Sequence, residues 1–336
     1  MARFRFKSLF RRRDCGSPIS VEHVGGNGSR LASAACPDRF IAEYHKACLG
    51  LVREALAEVD ILLDVCFGDV PPPASFDASR TLRIGLQCEH TLVKPGGRDC
   101  GAAPAGGIPI PGCDATYLVR IAGYEQLRGF DCVFEYSLPN LANIGSCPQF
   151  TDYLVRTVYV APLIVPRGGP AGRRRSGAVT TFHDSHQPRR KAILDRCQRQ
   201  KVRVRNVTGI FDAQRLERLY GSVQVLVNVH QTDHHDTLEE LRVLPALLCG
   251  AVIVSEDVPL RTAVPYHRFV IWADYDGIPE AVRATLADYD AHRRRIFGDP
   301  EFGPTLAAMD RNNRTTVTTV IRKLATAIAT GVRQPD

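Results

Sequence analysis

LRVLPALLCGAVIVSED (241–257) is the stretch whose reading decides the fold. Its first part is apolar at helical spacing and stops at Gly250, and glycine suits a helix end because it enters the left-handed region without strain. Its second part, AVIVSED (251–257), is a short unbroken apolar run closed by Ser255, Glu256 and Asp257. Such a run suits a strand covered on both faces. Just upstream, VQVLVNVH (223–230) reads as another buried strand, and a polar connection leads from it into a helix over 235–250. Strand, helix and strand in this order make a βαβ unit, which places the two strands parallel.

The same rhythm continues in both directions. AVTTFHD (178–184) and VRVRNVTG (202–209) read as strands, and so does FVIWAD (269–274). PRRKAILDRCQRQ (188–200) reads as a helix with Pro188 in its first turn, where a missing N–H costs little. DAQRLERLYGS (212–222) reads as a helix capped by Asp212, with further helices over 278–297 and 314–330. This alternation predicts a parallel sheet with helices on both faces.

PRGGPAGRRRSG (166–177) breaks the pattern and reads as a linker. Before it, Phe40, Ile41, Tyr44, Cys48, Leu51, Val52 and Leu56 recur at helical steps. Strands are expected at 59–67, 81–87, 131–137 and 157–165, and a strand or helix start at 115–127. Residues 94–113 read as a long Gly- and Pro-rich loop, and 14–35 as small residues with little regular structure. The expected fold class is therefore α/β, with two Rossmann-like domains facing a cleft. The expected organisation is a basic, flexible segment (1–35), an N-terminal domain (36–165), the linker (166–177) and a C-terminal domain (178–336).

Composition bounds the function. The 336 residues are 44% hydrophobic and 24% charged, as in globular proteins with real cores. No run approaches the ~20 apolar residues of a membrane span. The opening MARFRFKSLFRRR lacks the apolar segment of a secretory signal, so a cytoplasmic protein is expected. The 11 cysteines are scattered without a CxxC pair, which suits reduced, buried thiols better than disulfides or a zinc ribbon. The net charge of +7 is concentrated in Arg3, Arg5, Lys7, Arg11, Arg12 and Arg13, interleaved with Phe4, Phe6, Leu9 and Phe10. Residues 3–13 are thus either a solvated terminus or a peripheral contact with an anionic membrane surface. The rest is close to neutral, which argues against a nucleic-acid partner.

In open α/β sheets ligands bind beyond the carboxyl ends of the strands. HDSHQPRRK (183–191) combines a strand end, a helix N-terminus and two guanidinium groups, Arg189 and Arg190, a combination suited to a diphosphate. After the strand 223–230 come His230, His234, Thr237, Glu239 and Glu240, and the next strand ends at Glu256. In the first half, Glu89 and His90 follow the strand 81–87, beside Gly96 and Gly97, and Glu135 lies at the end of the strand 131–137.

Residues 178–330, and LRVLPALLCGAVIVSED above all, resemble the nucleotide-sugar-binding half of GT-B-type glycosyltransferases of group 1, the retaining type. The resemblance implies a nucleotide-sugar donor, a glycan or lipid-linked acceptor, and no metal or other cofactor. It places the base and ribose near the 203–212 turn and Thr237–Glu240, the diphosphate near Arg189 and Arg190, and the sugar near His230 to His234, with Glu256 in the same site. Glu89, His90 and Glu135 are then the candidate catalytic residues on the acceptor side. The resemblance also implies a final helix crossing back to the first domain. One departure is Pro245, which stands where many retaining members carry a ribose-binding glutamate; Glu239 or Glu240 could substitute.

Two other readings stay open. His183, His186, His230, His234 and His235, with Asp184, Asp233 and Asp236, could hold zinc or manganese in a metal-dependent hydrolase, although no metal signature fits their spacing. A non-catalytic nucleotide-sugar-binding module would also explain Pro245.

Overall fold

The structure, a computed structural model, describes residues 18–90, 92–95, 108–109, 116–119, 127–166, 175–183, 187–231 and 237–331. Two parallel sheets dominate it. The first takes β1 (Ser20–Val24), β2 (Ser29–Ser33), β3 (Asp64–Phe67), β4 (Thr81–Gln87), β8 (Cys132–Glu135) and β9 (Thr157–Tyr159), side by side in that order. Only the β1–β2 hairpin is antiparallel. The helix α1 (Ala42–Ala57) connects β2 to β3, and α2 (Leu138–Gly145) and α3 (Thr151–Leu154) connect β8 to β9.

The hairpin is the first departure from the sequence reading, which left 14–35 irregular. Gly25 and Gly28 supply the two left-handed positions of its turn, at φ 71° and 79°. β2, SRLAS, lies against β3 with Leu31 and Ala32 fully buried, and Leu31 is its one large apolar residue. One large apolar residue in five carries little hydrophobic signal, so the strand does not announce itself. The long loop expected over 94–113 also contains strands. β5 (Leu92–Pro95) and β6 (Ile108–Pro109) flank β7 (Thr116–Val119) in a small antiparallel sheet.

The second sheet contains β10 (Ala178–Thr180), β11 (Val204–Asn206), β12 (Val225–Asn228), β13 (Val252–Glu256) and β14 (Val270–Ala273), all parallel, in the order β11-β10-β12-β13-β14. Its helices are α4 (Pro188–Arg199), α5 (Ala213–Tyr220), α6 (Glu240–Leu248) and α7 (Ile278–Ala287). Val179, Leu226 and Ile253 face α5 and α6, while Ala178, Val225, Val227 and Val254 face α4 and α7. Both faces are covered, which is why these strands read as unbroken apolar runs.

The stretch 241–257 folds as its pattern requires. Gly250 leaves α6 at φ 79°, and a Cβ there would meet the Arg175 guanidinium at 2.9 Å. Asp212 caps α5 by accepting from the Arg215 N–H at 2.8 Å. The helix expected over 278–297 is broken at Asp288 into α7 and α8 (Tyr289–Phe297). The last helix, α9 (Phe302–Ala329), starts well before residue 314 because Pro304 falls in its first turn, where proline is tolerated.

α9 serves two cores. Leu306 and Met309 pack with the second sheet, while Val317, Ile321 and Ala325 join α1 against the first. Between these groups Asn313 grips the chain leaving β9. Its Oδ1 accepts from the Ala161 N–H at 2.8 Å, and its Nδ2 donates to the Ala161 carbonyl at 2.9 Å. The Tyr44 hydroxyl donates to the neighbouring Val160 carbonyl at 2.7 Å.

Candidate functional site

Strand order locates the site. The first sheet runs monotonically, but in the second the chain goes from β10 outward to β11 and then returns past β10 to β12. The connections after β10 and β12 therefore depart in opposite directions and leave a crevice at their carboxyl ends, the usual ligand position in this topology. His183 follows β10, His230 follows β12 and Glu256 ends β13. α4 also begins there, with Pro188 in its first turn and no capping hydrogen bond from a described side chain.

Two arginine clusters organise this end of the sheet. Glu256 receives a two-pronged contact from Arg189, one prong at 2.6 Å, and accepts the His230 N–H at 3.0 Å. Arg189 also donates to the His230 carbonyl at 3.2 Å and lies 4.0 Å over the Tyr275 ring, whose hydroxyl donates to the Arg189 carbonyl at 2.6 Å. His230 is buried, and that burial pushes its pKa down to about 4 against the pull of Glu256. It is therefore neutral near pH 7.

In the second cluster Glu239 accepts from Arg190 at 2.7 Å and pairs with Arg242. Both guanidinium groups lie over the Phe182 ring, at 4.6 and 5.5 Å from its centroid. Asn206 fixes Phe182 by bonding both its N–H and its carbonyl. Arg242 donates to Asn228 at 3.0 Å, Asn228 to Ser255 at 3.1 Å, and Ser255 to the Glu256 carbonyl at 3.0 Å. The two clusters are thus linked through the ends of β12 and β13. Among the described residues of the two clusters, three guanidinium groups face two carboxylates.

The first half reaches this crevice at several points. His90 Nδ1 and Thr237 Oγ1 are 2.7 Å apart. Asn140 donates to the Glu89 carbonyl at 2.9 Å and to Glu135 at 2.9 Å. Glu135 is fully buried under Glu89, and burial holds its carboxyl well above the ordinary range. Glu240 is buried too, and accepts from the Tyr266 hydroxyl at 3.2 Å. At the mouth, the Phe40 ring meets His183 and Phe211 edge-on, with centroids at 4.7 and 4.9 Å, and Arg39 lies over Phe211 at 4.6 Å.

The residues singled out from sequence thus fall into three groups. Arg189, His230 and Glu256 form one, and Arg190 and Glu239 another. His90, Thr237, Glu89, Glu135 and Glu240 lie along the seam between the sheets. His234 is outside the described residues, as are His186, His235, Asp184, Asp233, Asp236, Gly96, Gly97 and the basic segment 3–13. The reading missed Phe182, Arg242, Asn228, Ser255 and Tyr275. Arg242 had one visible signal, its position three residues after Glu239 on a helix. Among the described residues no group of three or more His, Cys, Asp or Glu side chains could hold a metal ion. The described cysteines are free thiols, mostly buried.

No family model matches the chain. An uncharacterized protein of Acanthamoeba polyphaga mimivirus is 28% identical over 122 residues, which is 35% of this chain and 42% of that protein. The chain thus covers less than half the length of this relative. Among solved structures, the accessory secretory protein 1, 2 and 3 structure of Streptococcus pneumoniae aligns over 76% of this chain and 54% of that one, with a TM-score of 0.36 and 9% identity. That likeness is too loose to carry an argument about fold or activity. Among the described residues no helix is long and apolar enough to cross a membrane.

Proposed function

We propose that this chain is a metal-independent glycosyltransferase of GT-B-type architecture, with a nucleotide-sugar donor held by residues 178–336 and a glycan or lipid-linked acceptor by residues 36–165. The observation that carries the reading is the start of α4. A helix N-terminus bearing Arg189 and Arg190 sits at the crossover of a parallel sheet, where the helix dipole and the guanidinium charge favour a diphosphate. Glu256 and Glu239 hold the two guanidinium groups in place, and Arg242 adds a third beside them. In this reading Thr237 at the opening of α6 is assigned to the ribose, and neutral His230 to the sugar, as a hydrogen-bonding group rather than a cation.

Glu89 and His90, partly exposed at the end of β4, are the groups proposed to activate the acceptor. Glu135 acts beneath them through Asn140, which holds the Glu89 backbone. The test is thermal denaturation with UDP, GDP, ADP, CMP and their sugar conjugates, with and without EDTA. At ~100 times Kd a specific ligand stabilises the fold by roughly 2.7 kcal/mol. Stabilisation by one nucleotide that is insensitive to EDTA and lost in Arg189→Ala supports the reading. No shift with any nucleotide refutes it. Destabilisation by EDTA alone points to the metal-dependent alternative. Slow donor hydrolysis without acceptor separates a transferase from a non-catalytic module.

A further inference from the structure

Charge is unevenly spread over the second half. Residues 188–218 hold ten Lys and Arg against three Asp and Glu, so the near-neutral balance beyond residue 13 hides a local excess. Some of these cations are engaged within the fold: Arg189 with Glu256, Arg190 with Glu239 and Arg196 with Asp276. Lys191 and Arg215 pair with Asp195 and Asp212. Arg199, Lys201, Arg203, Arg205 and Arg218 are exposed and pair with no carboxylate among the described residues.

The topology places these five cations along one edge. β11 is the edge strand of the second sheet and pairs only with β10 among the described strands. Arg205 stands opposite Val179, which faces α5, so Arg203 and Arg205, two apart, project on the α5 side of that edge. Arg218 is on α5 itself. Arg199 ends α4, and Lys201 follows in the left-handed region at φ 59°, its N–H on the Gln198 carbonyl at 3.0 Å. Glycine usually fills that helix exit. From Lys201 to Arg205 the basic run extends about 13 Å along the edge. The carboxyl end of β11 then leads to Phe211, against which Arg39 and the 43% exposed Phe40 are packed.

We propose that this edge rests on an anionic membrane surface, with Arg199, Lys201, Arg203 and Arg205 over the lipid phosphates. Charge on an edge strand also keeps other strands from pairing with it. That accounts for Arg203 and Arg205, but not for Arg199 and Lys201 before the strand or Arg218 on α5. Each basic residue held near an anionic surface strengthens binding roughly fivefold, and the gain falls off within about 10 Å at moderate salt. A nucleic acid would meet the same charges. The bilayer is favoured because apolar side chains accompany the cations: Phe40 beyond the end of the edge, and Phe4, Phe6, Leu9 and Phe10 among the basic residues of 3–13. Stable surface binding takes two signals, and the edge supplies one beside the terminal segment. The carboxyl end of β11 is the crevice end of the sheet, so the crevice mouth then adjoins the bilayer, where a lipid-linked acceptor would lie. The surface contact itself does not depend on the chain transferring a sugar.

The test is cosedimentation of the full chain with vesicles of phosphatidylcholine alone or with about one-third phosphatidylserine, at low salt and at ~0.5 M salt. One variant carries Arg199→Gln, Lys201→Gly, Arg203→Thr and Arg205→Thr; another replaces the six basic residues of 3–13 by glutamine. The first set lies at exposed positions, and an unchanged urea midpoint checks that it folds. Wild type should prefer the anionic vesicles by at least about tenfold and lose them at high salt. The edge variant should bind at least about tenfold more weakly than wild type, against a ceiling of roughly several hundredfold for four residues. A loss confined to the tail variant, with the edge variant within about twofold of wild type, overturns the proposal. So does equal binding of wild type to neutral and anionic vesicles, a result that needs no variant. An edge-dependent affinity for single-stranded polyuridylate without vesicle binding also overturns it, and assigns the patch to nucleic acid.

Discussion

Replacing Asn313 by alanine removes a side chain that bonds both polar groups of one buried residue. Asn313 is 4% exposed and Ala161 2%. The substitution strands the Ala161 N–H, now bonded at 2.8 Å, and its carbonyl, bonded at 2.9 Å. An unsatisfied buried group costs about 1–3 kcal/mol, so the pair sets a range of about 2–6 kcal/mol. A cavity of ≈ 140 Å³ lined by Ala161, Asn313 and Cys48 adjoins the site, and a water entering there would partly satisfy the stranded groups. The expected loss is therefore in the lower half, about 2–4 kcal/mol. It is read from urea denaturation as a lower midpoint at unchanged slope. Thr315→Ala, on the exposed side of the same helix, serves as control and should stay within about 0.5 kcal/mol. A loss below about 0.5 kcal/mol in Asn313→Ala would refute the idea that this amide fixes the crossing of α9.

Glu256→Ala strands the Arg189 guanidinium and the His230 N–H. Breaking a buried pair costs about 3–5 kcal/mol, and the 18% exposure of the Arg189 side chain lowers the expectation to about 2–4, measured by the same denaturation. Gly85→Ala places a Cβ 2.9 Å from the Phe130 ring and should cost about 1–3 kcal/mol; Phe130→Leu in the same chain should recover part of it, and an additive double variant would contradict the clash. Stability should also depend on pH. His230, lowered from 6.5 to about 4, contributes stability that is lost as pH falls between those values. Glu240, raised from 4.5 to about 8, contributes stability that is lost as pH rises toward 8. The two slopes oppose each other up to about pH 6.5, and above it the carboxyl dominates. Urea midpoints should fall between pH 6.5 and 8 in wild type, while a flat profile there would contradict the burial of Glu240.

The sequence by itself determined the alternation of the second half. Residues 178–274 fold as parallel strands and helices within a few residues of the boundaries read from it, because each strand buries both faces and each helix buries one, and these periods are written locally. It also marked the strand ends where polar residues gather, among them Arg189, His230, Glu239 and Glu256. Only the tertiary structure decided their pairing: Arg189 with Glu256 across 67 positions, Arg190 with Glu239 across 49, and His90 with Thr237 across 147. Such pairs leave no periodic trace, since strand order sets which ends meet. The same holds for β2, whose weak apolar pattern becomes a strand only beside β3, and for Asn313, a polar residue buried because the chain leaving β9 needs both of its hydrogen bonds. Local sequence fixes what each segment can bury, and strand order fixes which buried groups meet.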